Sequence, residues 1–287
     1  VQMDVELASE FMYSDPVIDE KTLVIAVSQS GETIDTLEAL KYAKRQGAKC
    51  LSVINVKGSS IARESDYVLY TAAGPEIAVA STKAYTTQLS VFYLVVAKMA
   101  LLRGVYTEEQ TKSFIAELER VPEVMQKVLE KRRDIHVIAK KILEAKDLFM
   151  IGRGLDYSIL LEGSLKLKEV SYIHSEAYAS GELKHGPIAL IENGITVVAT
   201  MTDKRLVEKS ISNVQEVVTR GAKVLLITSE DIKNDGFDTV IKIPKTNPFI
   251  SPILSVIPMQ VLSYYISKEK GLDVDKPRNL AKSVTVE

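Results

Sequence analysis

Thr22–Val27 (TLVIAV) and Thr196–Met201 (TVVATM) are two copies of one strand-like segment. Both are short, apolar and rich in β-branched residues, which is typical of strands buried on both faces of a parallel sheet. A second pair, Gly47–Ile54 (GAKCLSVI) and Gly221–Thr228 (GAKVLLIT), repeats at the same offset of 174 positions. A constant offset across two blocks indicates an internal duplication.

Each copy follows the order strand, polar turn, helix, strand, loop, strand. The segment Thr33–Gln46 between the first two strands has apolar residues at helical spacing, and a third match pairs Asp66-Tyr-Val-Leu with Asp238-Thr-Val-Ile at an offset of 172. Strand–helix–strand units in series form right-handed crossovers. The sequence therefore predicts two similar α/β domains, each with a doubly wound parallel sheet.

The predicted domains cover residues 1–134, including helices that join the copies, and residues 135–271, followed by an irregular tail over residues 272–287. Pro122 is expected to break the joining helical sequence. The second copy opens with a strand at Leu148–Ile151 that has no counterpart in the first copy. We therefore expect the first domain to lack its N-terminal strand and helix, roughly 30 residues on the repeat spacing.

The composition argues against nucleic-acid binding, internal disulfides, metal sites and a membrane span. The chain has 287 residues and a net charge of −2, which gives no basic surface for nucleic acid. The single cysteine, Cys50, excludes an internal disulfide, fits a core strand position and agrees with a cytoplasmic location. The three histidines, His136, His174 and His185, have no metal-ligand spacing, so neither a metal nor a cofactor is expected. The most apolar stretch, Leu89–Ala97, is expected to be too short for a membrane span.

The turn after the first strand is a candidate phosphate site. Ser28-Gln-Ser-Gly-Glu-Thr33 joins the carboxyl end of a strand to a helix N-terminus, where backbone N–H groups and the helix dipole favour an anion. Ser28, Ser30 and Thr33 add hydroxyl donors. A simple helix cap with Glu32 in the first turn explains the same spacing, and both interpretations stay open. Thr202-Asp-Lys-Arg at the matching turn lacks the serines, so no second phosphate site is expected.

Several longer motifs resemble the isomerase region of the glutamine–fructose-6-phosphate aminotransferases, also called glucosamine-6-phosphate synthases, which is built from two sugar isomerase (SIS) domains. SQSGET alone indicates only an SIS domain, whereas the other motifs are more specific. They are Gly74–Gln88 (GPEIAVASTKAYTTQ), Leu161–Glu169 (LEGSLKLKE), Glu176–Pro187 (EAYASGELKHGP) and Pro277–Glu287 (PRNLAKSVTVE). The resemblance covers essentially the whole chain. The glutaminase domain of that family is absent from this sequence.

The resemblance implies which residues act. Lys282 is the amine that forms an imine with the open-chain sugar, Glu169 moves the proton between C1 and C2, Lys166 supports it electrostatically, and His185 opens the sugar ring from a partner subunit. Contacts to phosphate and sugar are implied for Ser28, Gln29, Ser30, Thr33, Val79, Ser81 and Ala281.

The same residues have plainer interpretations. Glu162, Lys166 and Glu169 stand at i, i+4 and i+7, so the spacing by itself predicts a surface ion pair on one helix face. A tail lysine such as Lys282 is usually solvated, and it needs burial or a cationic neighbour such as Arg278 to react as a neutral amine. His185 lies in a loop, where histidines are usually surface groups.

The expected function is conversion of fructose 6-phosphate and ammonia into glucosamine 6-phosphate by a homodimer, without glutaminase activity in this chain. The expected partners are the sugar phosphates, a second copy and the glutaminase domain of the full-length protein, with no nucleic acid or membrane. Two alternatives remain: a sugar-phosphate deaminase or deglycase of the same fold, and a non-catalytic module that senses a sugar phosphate.

Overall fold

The computed structural model describes residues 1–233 and 236–283. Two compact units divide the chain: one holds residues 1–107 and the tail from residue 279 onward, and the other holds residues 108–278. The sequence places the boundary at residue 134 instead. The difference arises because the helices Val121–Leu129 and Arg132–Lys141 pack against the last helix of the second unit. Residues 284–287 of the tail motif lie outside the described residues.

The first unit contains a three-stranded sheet with its helices. Its elements are α1 (Ala8–Phe11), β1 (Leu23–Ser28), α2 (Ile34–Arg45), β2 (Lys49–Ile54), α3 (Ser60–Glu64), β3 (Tyr67–Tyr70) and α4 (Lys83–Leu102). The sheet order is β1-β2-β3 and both pairings are parallel, with Val24 opposite Cys50. Cys50 is fully buried beneath α2 among Leu40, Ala43 and Ile54, which confirms its expected core position.

The second unit contains a five-stranded sheet. Its elements are α5 (Glu108–Glu119), α6 (Val121–Leu129), α7 (Arg132–Lys141), β4 (Asp147–Gly152), α8 (Leu155–Ser171), β5 (His174–Ala179), β6 (Thr196–Met201), α9 (Val207–Val218), β7 (Lys223–Thr228), β8 (Thr239–Lys242) and α10 (Ser251–Glu269), with two short 3-10 turns at Leu183–His185 and Pro187–Leu190. The strands are all parallel in the order β5-β4-β6-β7-β8. Pro122 lies in the first turn of α6, just after α5 ends, so the predicted break is present.

The two sheets confirm the doubly wound α/β fold and show the duplication. Strands β2 and β7 begin 174 positions apart and β3 and β8 begin 172 positions apart, as the repeated sequences require. Strand β6 pairs with β4 as well as β7, whereas its equivalent β1 pairs only with β2 in the described part of the chain. The second unit thus has two more strands than the first, and one of them, β5, was not predicted.

Helix α4 corrects one expectation. It runs over 20 residues and is long and apolar enough to cross a membrane by length and composition. The helix extends beyond Leu89–Ala97 at both ends. The expectation that this apolar segment is too short for a membrane span is therefore wrong. This criterion is weak evidence by itself, because core helices of water-soluble proteins also meet it. The matching helix of the second unit, α10, is a core helix with 13 buried residues among 19.

Candidate active site

The loop Ser28–Thr33 leaves the carboxyl end of β1 and leads into α2. The Ser28 hydroxyl accepts a hydrogen bond from the Gly31 N–H at 3.0 Å, and the Ser30 hydroxyl accepts one from the Glu32 N–H at 3.2 Å. Gly31 has φ +67°, and a Cβ there would lie 2.1 Å from Ser59 Oγ, so only glycine fits. The two serine hydroxyls therefore shape the loop as well as offering polar atoms to a ligand.

Helix α3 is hydrogen-bonded to this loop through backbone N–H groups of its first turn. The Gly31 carbonyl accepts a hydrogen bond from the Ile61 N–H at 3.0 Å. The Glu32 carboxylate accepts one from the Ser60 N–H at 2.9 Å. Hydrogen bonds from the Ser60 side chain and backbone lower the pKa of Glu32. The Glu32 carboxylate is thus ionised and hydrogen-bonded at the start of α3.

Asn55 joins the loop to the segment after β3 and is not among the residues predicted from the sequence. Its backbone N–H donates to the Gln29 carbonyl at 3.2 Å. Its side-chain amide donates to the Gly74 carbonyl at 2.7 Å and accepts from the Ala73 N–H at 2.9 Å. A signal was present in the sequence, because Asn55 is a polar residue directly after a buried strand, at the sheet edge where ligands bind.

A cavity of about 600 Å³ opens at this edge of the first unit. It is lined by Gln29, Ser30, Asn55, Val56, Lys57, Ala72, Gly74, Pro75, Glu76, Lys282 and Ser283. Three of the residues singled out in the sequence, Gln29, Ser30 and Lys282, therefore meet in one cavity. The other members of the predicted substrate set are not among the lining residues; they are Ser28, Thr33, Val79, Ser81 and Ala281.

Lys282 is half-buried, and its ammonium donates to the Ala78 carbonyl at 2.5 Å. The segment that carries Ala78 is fixed by Glu76. The Glu76 carboxylate accepts hydrogen bonds from the Ser81 hydroxyl at 2.9 Å and from the Ala84 N–H at the start of α4 at 3.2 Å. Ser81 therefore supports the cavity wall by this contact.

The second unit places Glu162, Lys166 and Glu169 on one face of α8. The Lys166 ammonium lies 2.5 Å from a Glu169 oxygen and 3.6 Å from a Glu162 oxygen. Lys166 is only 5% exposed, so the expectation of a surface ion pair is wrong. Burial raises the pKa of Glu162 to about 7 in spite of the neighbouring Lys166 charge. A buried lysine between two carboxylates is an arrangement that can hold and move a proton near neutral pH.

His185 lies in the 3-10 turn Leu183–His185 and is exposed. Its backbone N–H donates to the Glu182 carbonyl at 3.0 Å. It belongs to the second unit, as α8 does, whereas the cavity with Lys282 belongs to the first. In residues 1–233 and 236–283 no group of three or more His, Cys, Asp and Glu side chains is placed to hold a metal ion.

The chain also matches known proteins. Residues 1–98 and 141–267 match the SIS domain family. Over 289 aligned residues the chain is 55% identical to the glutamine–fructose-6-phosphate aminotransferase (isomerizing) of Clostridium tetani, covering 100% of this chain and 48% of that protein. It is 50% identical to the enzyme of the same name from Thermus thermophilus, of which it covers 47%. The chain thus spans about half the length of these curated relatives.

Two solved structures are similar to this chain over nearly its whole length. The C-terminal domain of glucosamine-fructose-6-phosphate aminotransferase from Francisella tularensis superposes with a TM-score of 0.89 at 42% identity, covering 96% of this chain and 78% of that one. A glucosamine-6-phosphate deaminase from Thermotoga maritima superposes with a TM-score of 0.74 at 26% identity, with 96% and 80% covered. The chain therefore belongs to the SIS domain family, and within it to the isomerase region of the glutamine–fructose-6-phosphate aminotransferases.

Proposed function

We propose that this chain converts fructose 6-phosphate and ammonia into glucosamine 6-phosphate. One observation carries the proposal: a single cavity of the first unit is lined both by Gln29 and Ser30 of the strand–helix turn and by Lys282. Such a turn suits a phosphate and a lysine suits a ketone, so the cavity offers the two groups that a ketose phosphate requires.

In the proposed reaction the neutral amine of Lys282 adds to the C2 carbonyl of the open-chain sugar, and loss of water leaves an imine. Ammonia then replaces the lysine at C2. The C1–H next to the imine carbon is acidified, and a carboxylate removes that proton and returns a proton to C2. The C1 hydroxyl loses its proton while the nitrogen gains one, which leaves an aldehyde at C1 and an amine at C2. We assign this transfer to Glu169, with Lys166 stabilising the carboxylate.

The remaining roles rest on the family resemblance. We assign ring opening to His185 acting from a partner subunit, which implies a homodimer with shared sites. Since the chain spans about half of its curated relatives, the glutaminase function is assigned to the remainder of such a protein. The chain alone then requires free ammonia. A cytoplasmic location is part of the same proposal.

Imine trapping tests the proposal. We expect borohydride to fix fructose 6-phosphate covalently to Lys282, and we expect Lys282→Arg to abolish the adduct in a peptide map. Lys83→Arg is the matched control, because Lys83 also donates to a carbonyl of the cavity wall, that of Pro75 at 2.5 Å. Continued labelling of Lys282→Arg would show that another lysine is the amine. No adduct on the unmodified chain would remove the imine step.

A deaminase of the same fold is the second candidate, because the Thermotoga maritima protein of that name shares the fold over 96% of this chain. Its 26% identity is far below the 55% shared with the Clostridium tetani aminotransferase. The direction of the reaction separates the two. Ammonia release from glucosamine 6-phosphate without amination of fructose 6-phosphate would favour the deaminase, and binding without either reaction would favour a sensing module.

A further inference from the structure

The cavity of the first unit has three charged side chains in its lining, Lys57, Glu76 and Lys282. A phosphate monoester carries between one and two negative charges at neutral pH, since its second pKa is about 6. The loop Ser28–Thr33 itself contains an acid, Glu32, and no basic residue. A cation beside this loop would add to the hydroxyl and backbone donors and would strengthen a preference for a dianion over a neutral sugar.

Both acids near the cavity have partners of their own. Glu32 accepts the Ser60 N–H at the start of α3, and Glu76 accepts the Ser81 hydroxyl and the Ala84 N–H at the start of α4. Helix N-termini and their hydrogen-bond donors offset much of a carboxylate charge. Repulsion of an incoming phosphate by these two acids is thereby reduced.

The two lysines differ in what they can supply. The Lys282 ammonium donates to the Ala78 carbonyl, and the proposed imine step requires it to lose its proton, so it is not a permanent counter-charge. Lys57 follows Asn55 and Val56 in the turn after β2. Its ammonium lies 6.0 Å from the centre of the Tyr70 ring. Over residues 1–233 and 236–283 it makes no hydrogen bond or ion pair and its side chain is exposed.

We propose that Lys57 is the cation that recognises the phosphate of the substrate in this cavity and sets the preference for a phosphorylated sugar. The inference rests on the proposed function for the identity of the sugar, but not for the anion. The hydrogen bond from the Asn55 N–H to the Gln29 carbonyl connects the turn that carries Lys57 to the loop Ser28–Thr33. Lys57 and this loop therefore line the same side of the cavity. The Tyr70 ring leaves the ammonium able to turn toward the ligand, because a cation–π contact at 6 Å is weak.

Calorimetric binding of fructose 6-phosphate, fructose and inorganic phosphate tests Lys57→Gln against Lys57→Arg. We expect Lys57→Gln to weaken binding of both phosphates on the order of tenfold, as loss of a charge-assisted hydrogen bond does. We expect Lys57→Arg to retain most of the affinity. The dependence of affinity on salt should also become shallower in Lys57→Gln. Lys49→Gln, an exposed lysine at the other end of β2, is the matched control and should bind like the unmodified chain.

Each outcome decides the inference. Equal affinity of Lys57→Gln and the unmodified chain for both phosphates overturns it, and so does an equal loss in Lys49→Gln. An unmodified chain that binds inorganic phosphate but not fructose 6-phosphate contradicts the proposed function. In that case the affinities of Lys57→Gln and the unmodified chain for inorganic phosphate still test the role of Lys57. An unmodified chain that binds neither phosphate overturns both.

Discussion

At the scale of single residues, folding changes the ionisation of Glu162. It is buried on α8 beside Lys166, and burial raises its pKa from 4.5 to about 7. The folded chain therefore binds a proton that the unfolded chain has released between these pH values. By linkage, the free energy of unfolding falls as pH rises through this window. The neutral acid stabilises the fold and the ionised acid does not.

Glu162→Gln should remove this pH dependence, since glutamine has the same shape and no charge. We expect the unfolding free energy of the variant, relative to the unmodified chain, to rise by about 1–3 kcal/mol between pH 5 and pH 8. Denaturant unfolding at the two pH values measures it. Glu208→Gln on the exposed surface of α9 is the control and should show no such change. A constant difference for Glu162→Gln would mean that Glu162 is ionised in the fold over the whole range.

The sequence located some site residues and not others for a physical reason. The loop Ser28–Thr33 was found because its polar residues follow one strand and begin one helix, which is a local pattern. The role of Asn55 depends on the carbonyls of Gln29 and Gly74, and that of Glu32 depends on Ser60. Those partners are distant in sequence, so a local pattern can mark Asn55 as a candidate but cannot show which groups it contacts. The burial of Lys166 has the same tertiary origin.

At the scale of elements, the end of α8 anchors the C-terminal tail at Arg278. Tyr172 ends the helix in a left-handed conformation with φ +59°, which is costly for a residue with a large side chain. Its hydroxyl accepts the Arg278 N–H at 2.8 Å, and the Arg278 guanidinium lies 4.2 Å from its ring centre. The tail that carries Lys282 continues from this point.

Tyr172→Ala should therefore loosen the tail. We expect trypsin to cut the Arg278–Asn279 bond at least several-fold faster in this variant, because cleavage follows the population of the open form. Tyr172→Phe keeps the ring under Arg278 and loses one hydrogen bond, so a smaller increase is expected. Mass spectrometry of timed digests gives the rates. An unchanged rate in Tyr172→Ala would show that the tail is held by other contacts.

The elements themselves were largely predictable where periodicity and repetition agree. Strands β1, β2, β3, β6, β7 and β8 lie where the repeated sequences placed them. Strand β5 was missed because the first three residues of its sequence, HSEAYA, are all polar and the strand lies at a sheet edge. The length of helix α4 was underestimated because polar residues in its first turns and Lys98 near its end flank the apolar stretch Leu89–Ala97.

At the scale of the whole molecule, the two units share one fold but differ in how far their last helices are buried by neighbouring helices. Helix α10 packs against α6, α7 and α8 and is buried along its length. Its counterpart α4 has no helix of the α8 type beside it in the described part of the first unit, and β1 has one strand neighbour. As a result Leu94, Val96 and Leu102 of α4 are 46%, 57% and 72% exposed. Apolar surface of this kind favours dye binding and association.

This exposure leads to a prediction for the chain as it stands. The isolated chain should enhance the fluorescence of a hydrophobic dye, and Val96→Lys should reduce the enhancement and the concentration-dependent light scattering. Val137→Lys is the matched control, because Val137 is 58% exposed but lies on α7 among charged residues. It should leave both signals unchanged. Equal effects of the two variants would show that added charge alone is responsible, and no effect of Val96→Lys would place the dye-binding surface outside α4.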